Sequence, residues 1–139
     1  MEGVHKVFRW TEAYSVRVAV LDQQHQGLLT TVDELNQAMA AGKGNEVLVT
    51  VLRKLVDHAV IHFAAEESLM EEHDFPGFST HRAEHEMFRK KIAAFLEDHK
   101  GGKRGVPVTL MFFLQGWLKD HMQHADQLYS GFLNARGVH

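Results

Sequence analysis

Apolar residues recur along most of the chain at alternating spacings of three and four, and strand-like alternation of useful length is absent. Helices are the expected element throughout. A first stripe, Leu28, Leu29, Val32, Leu35 and Met39, predicts a helix over 22–42 with Asp22 placed as its N-cap. The run "GKGN" at 42–45 stops that helix and caps the next. A second stripe of Leu48, Val51, Leu52, Leu55, Ala59, His62, Phe63, Glu66, Leu69 and Met70 predicts a helix over 46–73. "DFPGF" breaks it, and Ser79 or Thr80 can cap a third helix over 79–100 that presents His81, His85, Phe88, Ile92 and Phe95. After "GGKRGVP", a fourth helix over 106–135 carries Leu110, Phe113, Leu114, Trp117, His121, Ala125, Leu128 and Phe132 on one face.

Helices joined by such short turns pack most simply as an all-α, up-down-up-down antiparallel four-helix bundle. Residues 1–21 then form an irregular arm lying across it, with Phe8 and Trp10 packing against the bundle. A length of 139 residues fits a single domain over 1–139, and 45% hydrophobic residues suffice for a core without crosslinks.

The polar residues that interrupt these stripes carry the chemical information. A histidine or carboxylate on a core face costs on the order of a few kcal/mol unless something satisfies it. His25 interrupts the first helix. His62 and Glu66 lie one turn apart on the second, and His81 and His85 repeat that spacing on the third. The fourth offers His121 and Asp126, whose spacing of five should rotate the second side chain well away from the first on an α-helix. The short run from His81 back to the "PG" turn puts any common site nearer one end of the bundle, with His85 the better level match for Glu66.

A lone histidine on an apolar face is ordinarily a satisfied core residue, but a set drawn from every helix points to metal. Imidazole and carboxylate without thiolate suit Fe, Zn, Mn, Co or Ni. Seven ligands exceed what one ion normally takes, so two metals are implied, with Glu66 and Asp126 bridging them through their paired oxygens.

Composition narrows the picture further. The chain has 11 histidines and no cysteine, which excludes disulfides, thiolate metal sites and thiol catalysis. A formal net charge of -3 and the lack of any Lys/Arg stripe argue against nucleic acid as partner. No apolar run at the amino terminus is long enough for a signal peptide or a membrane span, so a cytoplasmic protein is expected; the run "LMFFLQGWL" of the fourth helix can serve a core or an interface, and a monomer is the expectation.

In "LDQQHQGLL", "HFAAEESLM", "HRAEH" and "WLKDHMQHAD" the chain resembles the hemerythrin family, specifically its single-domain bacterial type, from about Phe8 to Phe132. That resemblance implies a non-haem di-iron site with an oxo or hydroxo group as third bridge. One iron would be held by His81, His85 and His121, and the other by His25 and His62. Glu66 and Asp126 would bridge them. Dioxygen would bind at the open position on the two-histidine iron, and Phe63, Trp117 and Leu118 match the family's apolar pocket.

The resemblance further implies reversible dioxygen binding for storage, delivery or sensing, with a redox or oxygen-accepting partner protein. A di-iron redox enzyme acting on peroxide, nitric oxide or ferrous iron is the alternative. The only Glu-x-x-His in the chain, Glu2 to His5, lies in the arm, which disfavours a ferritin-like site. His58 and His124 fall outside the family pattern and read as boundary residues, and His5, His73, His99 and His139 as surface or terminal ones.

Overall fold

The computed structural model describes residues 10–139. After a 3-10 turn at Glu12–Tyr14 come α1 (Ala19–Ala40), α2 (Gly44–Glu72), α3 (Phe78–Lys100), α4 (Val106–Asp120) and α5 (Asp126–Asn134). A π-helical turn, His121–Ala125, joins α4 to α5, so the last two helices form one interrupted rod. Among the described residues there is no strand, and the four rods form a four-helix bundle. Connections of only three to five residues between consecutive rods make neighbours antiparallel. Gly105, at φ 76°, supplies the left-handed turn before α4, and Pro107 sits in that helix's first turn, where its missing N–H costs nothing.

The N-caps expected at Asp22 and at Ser79 or Thr80 differ from those observed, whereas α2 is entered through the "GKGN" run, with Lys43 as its N-cap. The first helix starts at Ala19 rather than 22, after an extended Val18. Asp22 lies inside the first turn, where its carboxylate accepts the backbone N–H of Val16 (2.9 Å) and the hydroxyl of Ser15 (2.6 Å). It therefore fixes the incoming arm and leaves the helix start uncapped by a side chain. The third helix starts at Phe78 after Gly77, and neither Ser79 nor Thr80 caps it. Backbone bonds already begin that helix, from Phe78 N–H to Phe75 O (3.1 Å) and from His81 N–H to Gly77 O (3.0 Å).

The arm is clasped by the last helix. Ser130 Oγ donates to Val16 O, Gln127 Nε2 to Ser15 O and Asn134 Nδ2 to Arg17 O. Arg17 adopts φ 55°, a left-handed conformation that a non-glycine residue rarely takes, and the valines on either side of it are buried. Trp10 packs against Tyr14 and the main core, as expected of the arm, whereas Phe8 lies outside the described residues.

The core has two parts. The larger cluster includes Leu28, Val32, Leu35, Leu48, Leu55, Phe63, Phe88, Leu110, Leu114 and Leu118. The smaller joins Val16, Val18, Leu21, Met70, Tyr129 and Leu133. Along every rod the candidate ligands fall between the two: His25 between Leu21 and Leu28, Glu66 between Phe63 and Met70, and His85 between Phe78 and Phe88. Asp126 likewise separates Met122 from Tyr129. A polar layer thus crosses the bundle close to the end that carries the turn at 73–77. Leu128, expected on the inner face, is 74% exposed, because the π turn changes the helical phase and gives the inward positions to Tyr129 and Leu133.

Candidate metal centre

The structure brings all seven sequence-derived residues together, each no more than 3% exposed. α1 provides His25, α2 provides His62 and Glu66, and α3 provides His81 and His85. His121 opens the π turn and Asp126 is the first residue after it. Their donor atoms fall into two groups able to hold a cation: Glu66, His81, His85 and His121, and His25, His62, Glu66 and Asp126.

The π turn reverses one expectation. Five residues on an α-helix amount to a net rotation of about 140°, which would point Asp126 away from His121. In the wider turn, residue i+5 returns toward residue i, and Asp126 Oδ1 lies 3.0 Å from His121 Nε2. The two donors approach from the same side.

Each carboxylate divides its oxygens between the groups. Glu66 Oε1 faces His85 (3.0 Å) and His81 (3.3 Å), while Oε2 faces His62 (3.1 Å) and His25 (3.5 Å). Asp126 Oδ1 faces His121 (3.0 Å) and His81 (3.1 Å), while Oδ2 faces His25 (2.9 Å). Such division is what a carboxylate spanning two cations requires.

The donor set fits metal on a second count. His25 Nε2, His62 Nε2 and both Asp126 oxygens are buried and have no hydrogen-bond partner, despite their close approach to one another. His85 Nε2 and His121 Nε2 lie 3.2 Å apart. Buried polar atoms left unpaired cost about 1–3 kcal/mol each. Inward-facing nitrogen and oxygen lone pairs at these distances are satisfied jointly by cations, and all-imidazole and carboxylate ligation without sulfur suits non-haem iron.

Without a cation, protons take its place. Burial opposes charge on His25, yet the nearness of Asp126 and then Glu66 outweighs it and pushes the pKa up to about 9. The same balance lifts His81 to about 9. His121 rises to about 10 against burial, through Asp126 first and then Glu84. His62 goes the other way because burial dominates over the pull of Glu66. Glu66 and Asp126 lie well below the ordinary carboxylate range, since the surrounding imidazoles overcome their burial.

Outside this layer are four residues that sequence reasoning missed. Gln24 Oε1 is 2.8 Å from His62 Nδ1, Glu67 Oε2 is 2.7 Å from His85 Nδ1, and Glu84 Oε1 is 3.2 Å from His121 Nδ1. Each is the chain neighbour of a layer residue (His25, Glu66 and His85) and reaches a histidine on the next rod. They carry no periodic signal, because adjacent helical residues point about 100° apart. The fourth is Tyr129, whose hydroxyl donates to Glu66 Oε2. It lies three residues after Asp126, and that spacing on one helical face was a usable signal.

The apolar residues touch the imidazoles directly. Phe63 stacks on His85 (centroids 3.8 Å apart) and Trp117 on His121 (4.4 Å), while Leu118 is buried in the cluster to which both belong. His58, His124 and His139 are exposed, and His73 and His99 are partly exposed, so none joins the layer. His5 lies outside the described residues.

Against known families, the model of the "Hemerythrin HHE cation binding domain" matches residues 16–133. The chain belongs to the hemerythrin family. Among named relatives is Bacteriohemerythrin of Methylococcus capsulatus (strain Bath), 30% identical over 127 residues that cover 91% of this chain and 96% of the relative. Bacteriohemerythrin of Stenotrophomonas maltophilia is 29% identical over 126 residues, covering 91% and 81%. A crystal structure of wild-type hemerythrin superposes with a TM-score of 0.81 at 28% identity, covering 91% of this chain and 97% of that one. As a member of the family the chain is an all-helical protein, and none of its described helices is long and apolar enough to cross a membrane.

Proposed function

We propose that this protein binds dioxygen reversibly at a di-iron centre. His81, His85 and His121 would hold one iron and His25 and His62 the other, with Glu66 and Asp126 placed to serve both. The observation that carries the reading is the division of both carboxylates, one oxygen toward each histidine group. The names of the relatives, Bacteriohemerythrin, support it.

When bound, such an iron pair would supply the electrons and the Lewis acidity that dioxygen binding needs. The chain's own residues then do three things. The buried imidazoles and carboxylates fix the spacing of the ions. Tyr129 holds Glu66 by donating its hydroxyl hydrogen bond to Oε2. Phe63 and Trp117, packed on His85 and His121, together with Leu118 in the same apolar cluster, would keep water and its protons away and offer no acid, base or nucleophile. Those apolar side chains favour release of the ligand unchanged over its conversion.

The test is an iron assay combined with visible spectra recorded anaerobically after reduction, in air, and again under vacuum. Two irons per chain, with colour that appears in air and bleaches under vacuum, is the expected result. Irreversible oxidation would move the reading to a redox enzyme acting on peroxide, nitric oxide or ferrous iron.

A further inference from the structure

The two histidine groups are backed differently. On the three-histidine side, His85 Nδ1 meets the carboxylate of Glu67 (2.7 Å) and His121 Nδ1 meets that of Glu84 (3.2 Å). Arg89 stands behind Glu67, with Nη2 3.9 Å away, and its guanidinium lies over the Phe63 ring. On the two-histidine side, His62 Nδ1 meets only the neutral amide oxygen of Gln24 (2.8 Å), and His25 Nδ1 is buried with no hydrogen-bond partner.

Both kinds of partner accept the Nδ1 proton and so turn the Nε2 lone pair inward. Only a carboxylate also adds negative charge near the cation and makes the imidazole a stronger donor, an influence that typically amounts to 10–100-fold in metal affinity. Glu66 and Asp126 serve both positions alike, so they do not distinguish them. Glu67 and Glu84 do.

We propose that the two positions fill in a fixed order set by these outer carboxylates. The position of His81, His85, His121 and Glu66 takes its iron first and holds it more tightly; that of His25 and His62 fills second and exchanges. The inference rests on the two-iron reading given above. It makes Glu67 and Glu84 positioning residues whose effect is confined to one of two sites. The second ion also meets Glu66 and Asp126 after each has committed one oxygen to the first, which widens the gap. A chain carrying a single iron is then a defined species, with the open side empty.

The test is an anaerobic calorimetric titration of metal-free protein with ferrous iron. Wild type should bind in two steps separated by at least about tenfold. The double variant Glu67→Gln with Glu84→Gln keeps side-chain shape and removes both charges. It should weaken the first step by about 10–100-fold and the second far less. Gln24→Glu should strengthen the second step and narrow the gap from the other side. Circular dichroism of the metal-free variants checks that each is folded. If the gap survives in the double variant, ligand number alone sets the order and the proposal fails. Equal weakening of both steps would assign the glutamates a general structural role and overturn it as well. A total other than two ions per chain would remove the di-iron reading, whereas two ions bound without order would remove only this inference.

Discussion

The hydroxyl of Tyr129, on α5, donates to Oε2 of Glu66, on α2, and neither side chain is exposed to solvent. Burial, and then the charge of Glu66, raises the tyrosine pKa well above its ordinary value, so the group stays a donor wherever the protein is folded. Tyr129→Phe removes that donor and leaves a buried carboxylate oxygen short of a partner. The expected cost is about 1–3 kcal/mol in the metal-free protein, with iron retention about tenfold weaker. Denaturant titration and chelator competition measure the two. Unchanged iron release would reduce the hydroxyl to a packing role.

Glu66→Ala removes one of the two carboxylates that serve both groups. Iron content should fall below two per chain and the visible spectrum of the oxidised protein should be lost, because among the described residues no other side chain places one oxygen before His85 and another before His62. An unchanged iron content and spectrum would sink the bridging assignment.

Stability of the metal-free protein should depend on pH in a defined direction. His25 and His81 are raised to about 9 and His121 to about 10, from 6.5. Groups raised on folding contribute stability that is complete below the unfolded value and is lost as pH rises through 9 to 10. Glu66 and Asp126 are depressed, so their contribution is present above the ordinary carboxylate range and lost as pH falls below it. His62, lowered by burial, adds to the loss on the acid side below 6.5. Melting temperature should therefore decline from neutral toward pH 10. Metal uptake near pH 7 should release protons from His25, His81 and His121, and calorimetry in buffers of different ionisation enthalpy would count them. Uptake without proton release would contradict this electrostatic picture.

The polar layer also divides the molecule mechanically. Without metal, the small cluster of Val16, Val18, Leu21, Met70, Tyr129 and Leu133 is joined to the main core across charged imidazoles. Amides of 16–21 and 126–134 should exchange hydrogen at least about tenfold faster than those of 28–59 and should slow on iron loading. Uniform exchange along the chain would show the two clusters to be one cooperative unit.

Much of this was legible in the sequence because a histidine inside a leucine stripe is conspicuous. His25, His62, Glu66, His81 and His85 could be placed on their faces by counting threes and fours, and the short turn at 73–77 located the layer near one end. The same counting misled at residue 126, since it assumed an unbroken α-helix, and Leu128 was turned inward for the same reason. Gln24, Glu67 and Glu84 escaped notice because their partners lie on other rods, and such pairing depends on packing rather than on period. The clasp of Ser130, Gln127 and Asn134 on the arm was hidden in the same way, as it joins segments more than a hundred residues apart.

The π turn has a wider consequence. It is in effect a surplus residue lodged in the fourth rod, and it shifts the sequence register of the inward face of α5 against that of α4. Leu110, Leu114 and Leu118 thus face the main core on one register, and Tyr129 and Leu133 face the smaller cluster on another. A single rod can thereby present His121 and Asp126 to one layer, as a straight α-helix with the same five-residue spacing could not.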